Sequence, residues 1–182
     1  PAAPSPQPTP PRSGERFSVE PDEVTDLGHL ARADRAAAKA RRRVRGTLRI
    51  FARSASGLRR ADLLGRSSDP YVVFRVGAHE VRSRVVKKTL APQWHQQLDL
   101  GPLELAEVLA APMGVTIMDR DTGRVAEVFS KTDDLLGALE VSLRALESRD
   151  EAEFSLPIPP PGKGEVHFGV SWRPHAPPPP PP

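Results

Sequence analysis

The sequence predicts an all-β fold, an eight-stranded antiparallel β-sandwich, and three observations carry that expectation. Eight short segments rich in β-branched and other apolar residues follow one another between Thr47 and Trp172. Gly, Pro and Ser clusters separate them, as turns separate strands. The last segment, Gly164–Trp172, places Val166, Phe168, Val170 and Trp172 at alternate positions, the pattern of a strand with one buried face. Many short strands with turns between them indicate two packed antiparallel sheets.

The elements follow in order. Pro1–Pro11 is Pro-rich and is expected to be extended or disordered. Glu23–Arg45 changes character. Ala31–Ala40 and the arginines after it are strong helix formers, and Asp22 or Thr25 is placed to cap the start. Val24, Leu27, Leu30 and Ala31 fit helical spacing only at the front, whereas the rear, ARRRVR, is simply basic. Two readings of this segment stay open. One is a solvated linker helix. The other is a basic segment drawn to anionic lipid, where each Lys or Arg contributes on the order of 1 kcal/mol.

From Gly46 the pattern becomes strand and turn. Thr47–Arg53 alternates with Leu48, Ile50 and Ala52 on one face. Tyr71–Val76 and His79–Val86 flank the Gly77-Ala78 turn as a hairpin. Trp94–Leu100 follows the break at Pro92. Leu103–Leu109 reads as a short helix between strands. Gly114–Asp119, Leu135–Leu143, Ala152–Ile158 and Gly164–Trp172 complete the set, with PPPGKG as the turn before the last. The expected organisation is a disordered Pro-rich segment at 1–22, a basic helical linker at 23–45, the sandwich at 46–173 and a polyproline tail at 174–182.

Composition bounds the function. The 182 residues include 22 prolines and no cysteine, so disulfides and thiolate metal sites are impossible. A reducing, cytoplasmic compartment is the expectation. No apolar run approaches the roughly 20 residues that span a bilayer, and no signal-peptide pattern appears. The chain starts at Pro1 rather than Met, so a piece of a longer protein is expected. The net charge of +3 is segregated: residues 1–30 carry −3, residues 31–45 carry +6, and residues 46–182 are neutral. The basic balance thus belongs to the segment before the sandwich.

The acids concentrate in two loops. ADLLGRSSDPY places Asp62 and Asp69 on either side of a Gly/Ser turn, with Pro70 biasing Asp69 to extended backbone. Met118–Gly137 is a second acidic stretch facing the first. Clustered carboxylates repel unless a cation sits among them, and the hard cation that takes six to eight oxygens in a flexible cage is calcium.

GTLRIFARSASGL, D…GRSSDPYVVFRV, KKTLAPQW, VTIMDRD…DDLLG and GEVHFGVSW together resemble the C2 domain family. The resemblance covers Gly46–Arg173 and implies an eight-stranded antiparallel β-sandwich. Because the pattern starts at GTLRI and closes with the eighth strand, it resembles the phospholipase-type strand permutation. RVGAHEVRSRVV and GEVHFGVSW lean toward the modules of extended synaptotagmins and related tethers. The family's calcium ligands carry over to Asp62, Asp69, Asp119, Asp121 and Asp134, with Asp133 the less favoured neighbour. The alternative is that these are solvated loop acids. The Asp62–Asp69 and Asp121–Asp134 intervals are longer here than the family's usual ones. The second insertion carries Val125, Val128 and Phe129, which are expected either to dock into membrane or to fold back on the domain. Burial of Phe129 in the acyl boundary would contribute roughly 1.5–3 kcal/mol.

Arg82 and Arg84 alternate along one strand, and the hairpin brings Arg75 near. They resemble the cluster by which some C2 domains hold phosphoinositide headgroups; an ordinary solvated strand face is the alternative. The neutral charge of the sandwich, one Tyr and two Trp argue against nucleic acid. The histidines show no metal-ligand spacing, and no nucleophile elbow, P-loop or GxGxxG appears, so no enzyme is expected within this chain. Tyr71, Trp94 and Trp172 read as core residues.

The resulting expectation is a monomeric, calcium-dependent module of the peripheral membrane that recognises anionic phospholipid. A calcium-independent scaffold for proteins or phosphoinositides is the first rival. The regulatory domain of a lipid-modifying or kinase enzyme is the second. Pro177–Pro182 reads as a linker or as a docking segment for a polyproline-binding protein.

Overall fold

The computed structural model describes residues 22–60, 68–120 and 133–176. The chain divides into two units, one ending at Ala36 and the other beginning at Ala37. Helix α1, Asp22–Arg42, runs across that division. From residue 30 to its end the helix is almost wholly exposed, Leu30 included.

Eight strands follow, as the alternation in the sequence requires: β1 (Arg45–Ser56), β2 (Pro70–Val76), β3 (His79–Arg82), β4 (Gln93–Glu104), β5 (Met113–Asp119), β6 (Asp134–Val141), β7 (Glu151–Pro157) and β8 (Glu165–Pro174). Helix α2, Leu105–Ala110, lies between β4 and β5, and a 3-10 turn, Arg144–Glu147, lies between β6 and β7. One sheet has the order β4-β1-β8-β7 and the other β3-β2-β5-β6, with every ladder antiparallel.

Apolar residues at alternate positions turn one face of each sheet inward. Leu48, Ile50 and Ala52 of β1, and Val166, Phe168, Val170 and Trp172 of β8, meet Val72, Phe74 and Val76 of β2 and Val115 and Ile117 of β5. Phe74 and Phe168 touch edge to face across the two sheets, with centroids 5.3 Å apart, and Phe154 stacks on Phe168 at 5.1 Å. Tyr71, Trp94 and Trp172 are buried, as expected, and the Trp94 indole N–H donates to the Pro70 carbonyl at 3.2 Å.

The third strand is shorter than the His79–Val86 alternation suggests. The Ser83 hydroxyl accepts the Val72 amide at 3.0 Å and donates to the Arg84 carbonyl at 2.9 Å. A side chain thus takes the place of a strand partner, and the ladder stops at Arg82.

The connections sort by end. The β1–β2, β3–β4, β5–β6 and β7–β8 connections all lie at one end of the sandwich, because Ser56 pairs with Glu165, Ser54 with Gln93, and Pro70 with Asp119, which in turn pairs with Asp134. The chain enters β1 and leaves β8 at the opposite end, where Gly46 pairs with Pro174. This arrangement matches the expected permutation.

Phe168→Ala removes the ring that joins both sheets. It is expected to lower the unfolding free energy by about 3–5 kcal/mol in urea titration. Leu30→Ala, on the exposed helix, should change it by less than about 0.5 kcal/mol.

Candidate functional site

The loop-bearing end carries three of the sequence-predicted aspartates in a row. Asp69 immediately precedes β2, Asp119 closes β5 and Asp134 opens β6. Pro70 pairs with Asp119 and Asp119 with Asp134, so antiparallel register alone sets the acids side by side on adjacent strands. A register irregularity between Ile117 and Met118 interrupts the β5–β6 ladder two residues before Asp119, and the ladder resumes with Met118 opposite Leu135.

Backbone amides hold two of these carboxylates. The Asp69 amide donates to Asp119 Oδ1 at 2.6 Å, and the Lys88 amide donates to Asp69 Oδ1 at 2.7 Å. The Arg120 amide donates to the Asp69 carbonyl at 3.0 Å, closing the link between the β1–β2 and β5–β6 connections. These bonds orient the carboxylates without adding opposing charge. Asp134 is exposed at the head of β6.

Asp133 does something else. It accepts the Tyr71 phenol at Oδ2, 2.6 Å away. Burial of the ring, then the hydrogen bond to Asp133 and the Asp133 charge, push the Tyr71 pKa from 10.0 up to about 12, while Arg82 and Arg120 pull it down. The phenol therefore stays a donor and ties the start of β6 to β2.

Next to this pair lies a cleft of about 120 Å³ lined by Tyr71, Arg82, Ser83, Arg84, Val85, Arg120 and Asp133. Arg82 and Arg84 both line it, although β3 ends at Arg82 and Arg84 lies beyond the strand. Arg75 does not join them: it faces Glu80 across the hairpin, with Nε 3.0 Å from Oε2. The third cation of the cleft is Arg120, which the sequence reading passed over. Its signal was its place directly after Asp119 at the end of β5.

Among the described residues, no three carboxylates or imidazoles gather as tightly as a bound metal requires. Asp62 and Asp121, the remaining expected ligands, lie outside the described residues, as do Val125, Val128, Phe129 and Pro177–Pro182. The donor set itself fits a hard cation. It is all carboxylate oxygen, with Asp69 and Asp119 each oriented through one oxygen by an amide.

This architecture and acidic end define a known module. A family model described as the C2 domain matches residues 46–158, and the chain belongs to the C2 domain family. It is 35% identical over 101 residues to Multiple C2 and transmembrane domain-containing protein 1 of Mus musculus, covering 56% of this chain and 9% of that protein. It is 28% identical over 133 residues to Extended synaptotagmin-1 of Homo sapiens, covering 70% of this chain and 11% of that protein. Among solved structures, the calcium-bound C2A and C2B domains of Extended-Synaptotagmin 2 superpose with a TM-score of 0.54 at 27% identity, covering 71% of this chain and 46% of that one. The C2A domain of plant Extended Synaptotagmin 1 shares the fold, with a TM-score of 0.56 at 19% identity over 75% of this chain and 100% of that one. The chain thus spans a small part, 9%, of the multiple-C2 relative.

Tyr71 is the sole tyrosine of the chain, so its ionisation can be read directly by phenolate absorbance. It should titrate near 12 in the folded protein and return toward 10 in denaturant. Because the folded state holds a proton that the unfolded state releases, stability from this group is complete below pH 10 and is lost as pH rises toward 12. Asp133→Asn should move the folded titration downward.

Proposed function

We propose that this C2 domain binds anionic phospholipid membranes in a calcium-dependent manner and brings a larger protein to the membrane surface. The observation that carries the reading is the row of Asp69, Asp119 and Asp134 across β2, β5 and β6. Asp69, Asp119 and Asp134 would hold the cation, together with Asp62 and Asp121. Bound calcium supplies positive charge and open coordination positions for lipid phosphate or carboxylate oxygens.

The chain's own residues set the rest. Unneutralised carboxylates at this end repel an anionic surface, which makes recruitment conditional. The amides of Asp69 and Lys88 keep the carboxylates oriented before any ligand arrives, lowering the ordering cost. Metal and membrane strengthen one another by the same factor, as linkage requires. The names of the relatives support a membrane setting, and the calcium-bound Extended-Synaptotagmin 2 domains support the metal. Among the described residues no helix is long and apolar enough to cross a membrane, which is compatible with peripheral attachment.

A second reading has its own observation. The Arg82–Arg84–Arg120 cleft favours an anionic headgroup such as a phosphoinositide, bound without calcium.

Sedimentation with phosphatidylserine vesicles separates the two. Asp119→Asn keeps an oxygen acceptor for the Asp69 amide, so the fold should survive. Calcium-dependent recruitment should fall at least about tenfold. Recruitment that ignores calcium and this substitution would overturn the first reading. Replacing Arg82 and Arg120 by Ala should weaken binding to phosphoinositide vesicles in chelator by about tenfold or more, and unchanged binding would remove the second.

A further inference from the structure

The β7–β8 connection reaches the same end of the sandwich as the acidic loops, on the opposite flank from the arginine cleft. Strand β3, which borders the cleft, is one edge of its sheet, and β6 is the other. Beside β6, a shallow cleft of about 90 Å³ is lined by Arg59, Leu135, Leu136, Gly137, Ala138, Pro159, Pro160, Pro161 and Gly162.

This flank is apolar where it is exposed. Leu135 is 45% exposed, and beyond Leu30 on helix α1 it is the only large hydrophobic residue so exposed among the described residues. Pro159, Pro160 and Pro161 are exposed as well. The flank is also basic. The Arg59 guanidinium donates to the carbonyls of Leu135 and Leu136, and among the described residues it pairs with no carboxylate. Exposed Arg60 and Lys163 form no ion pair among the described residues.

The turn is rigid rather than loose. The Gly162 amide donates to the Pro159 carbonyl at 2.9 Å and the Ile158 amide to the Gly164 carbonyl at 2.9 Å. Ile158 is buried, and its side chain fills the space above Gly137 and Gly162 that a Cβ would need. Gly164, at φ +97°, passes so close to Ser56 and Gly57 that no side chain fits there. Three consecutive prolines limit backbone freedom further.

We propose that Leu135, the Pro159–Gly162 turn and Lys163, backed by Arg59 and Arg60, form a second contact with the same anionic bilayer. The inference rests on the membrane reading of this end and goes beyond it, because this contact needs no calcium. Exposed apolar residues beside cations that pair with no described carboxylate match the boundary between acyl chains and anionic headgroups. A turn already ordered before contact loses little conformational entropy on docking. With the arginine cleft on one flank and this turn on the other, the bilayer is held on both sides of the acidic row, which sets the tilt of the sandwich.

The test uses the 182-residue chain, whose lack of cysteine allows single-site labelling. Pro160→Cys carries an environment-sensitive dye, and Ser142→Cys, exposed at the opposite end, carries the same dye as control. Vesicles contain phosphatidylcholine with or without phosphatidylserine, and sedimentation is measured in parallel with calcium and with chelator. The Pro160 dye should shift to the blue on phosphatidylserine vesicles while the Ser142 dye does not. Leu135→Glu and Lys163→Glu, both at exposed positions, should each lower residual recruitment in chelator, and recruitment in calcium, about fivefold. If calcium drives sedimentation while the Pro160 dye keeps its aqueous emission, the turn is not a membrane contact and the acidic-row reading stands. If the chain sediments under no condition, both readings fall.

Discussion

The hydrogen bond from the Asp69 amide to the Asp119 carboxylate is the contact on which the loop-bearing end depends. It joins the connection before β2 to the end of β5, and the Arg120 amide returns the link through the Asp69 carbonyl. The first bond joins an amide to a carboxylate and the second is backbone to backbone, so together they position the acids without neutralising them. Charge-assisted bonds of this kind are short and strong, and they resist the mutual repulsion of neighbouring carboxylates. The row survives as a row because strand register and amide donors share the cost of assembling it.

Around that row the charges are arranged with a sign. Arg82, Arg84 and Arg120 line one cleft beside β3, and on the β6 flank Arg59 lines the other, with Lys163 next to Gly162 in its turn. Tyr71 holds Asp133 in the arginine cleft, one residue before Asp134 of the acidic row. The outer face of the other sheet is different in kind. There Arg49 faces Asp99 and Arg53 faces Glu153, so two of its cations are matched by carboxylates. Charge concentrated at the loop-bearing end steers an anionic surface, or a cation, toward that end.

The opposite end explains part of the basic run before β1. Arg41 reaches Asp150 at 2.7 Å, and Arg42 reaches Glu147 with Nε at 2.9 Å. The Arg41 guanidinium also donates to the carbonyls of Leu146 and Arg149. These arginines hold the last turn of α1 against the connection between β6 and β7. They are therefore occupied by the domain itself, and the solvated-linker and lipid-attracted readings apply to the rest of the segment. Both pairs are exposed, so they fix orientation more than they stabilise.

The sequence by itself determined the eight strands, their inward faces and the two acidic stretches, because alternation of apolar residues and turn chemistry are local properties of the chain. Val166, Phe168, Val170 and Trp172 needed no partner to be recognised as one face. It also marked Asp69, Asp119 and Asp134, since they sit in motifs that resemble those of the family. What it could not decide was which side chains meet. Arg75 and Arg82 are equally basic in the sequence, but cross-strand pairing gives Arg75 to Glu80 and leaves Arg82 beside Arg120. Asp133 and Asp134 are adjacent acids, but only the tertiary structure brings the Tyr71 phenol to one of them. The PPPGKG turn read simply as a connection. Only the pairing of Glu165 with Ser56 placed it beside the acidic row, because antiparallel register over long sequence separation is set by the packed sheets and not by any short stretch of chain.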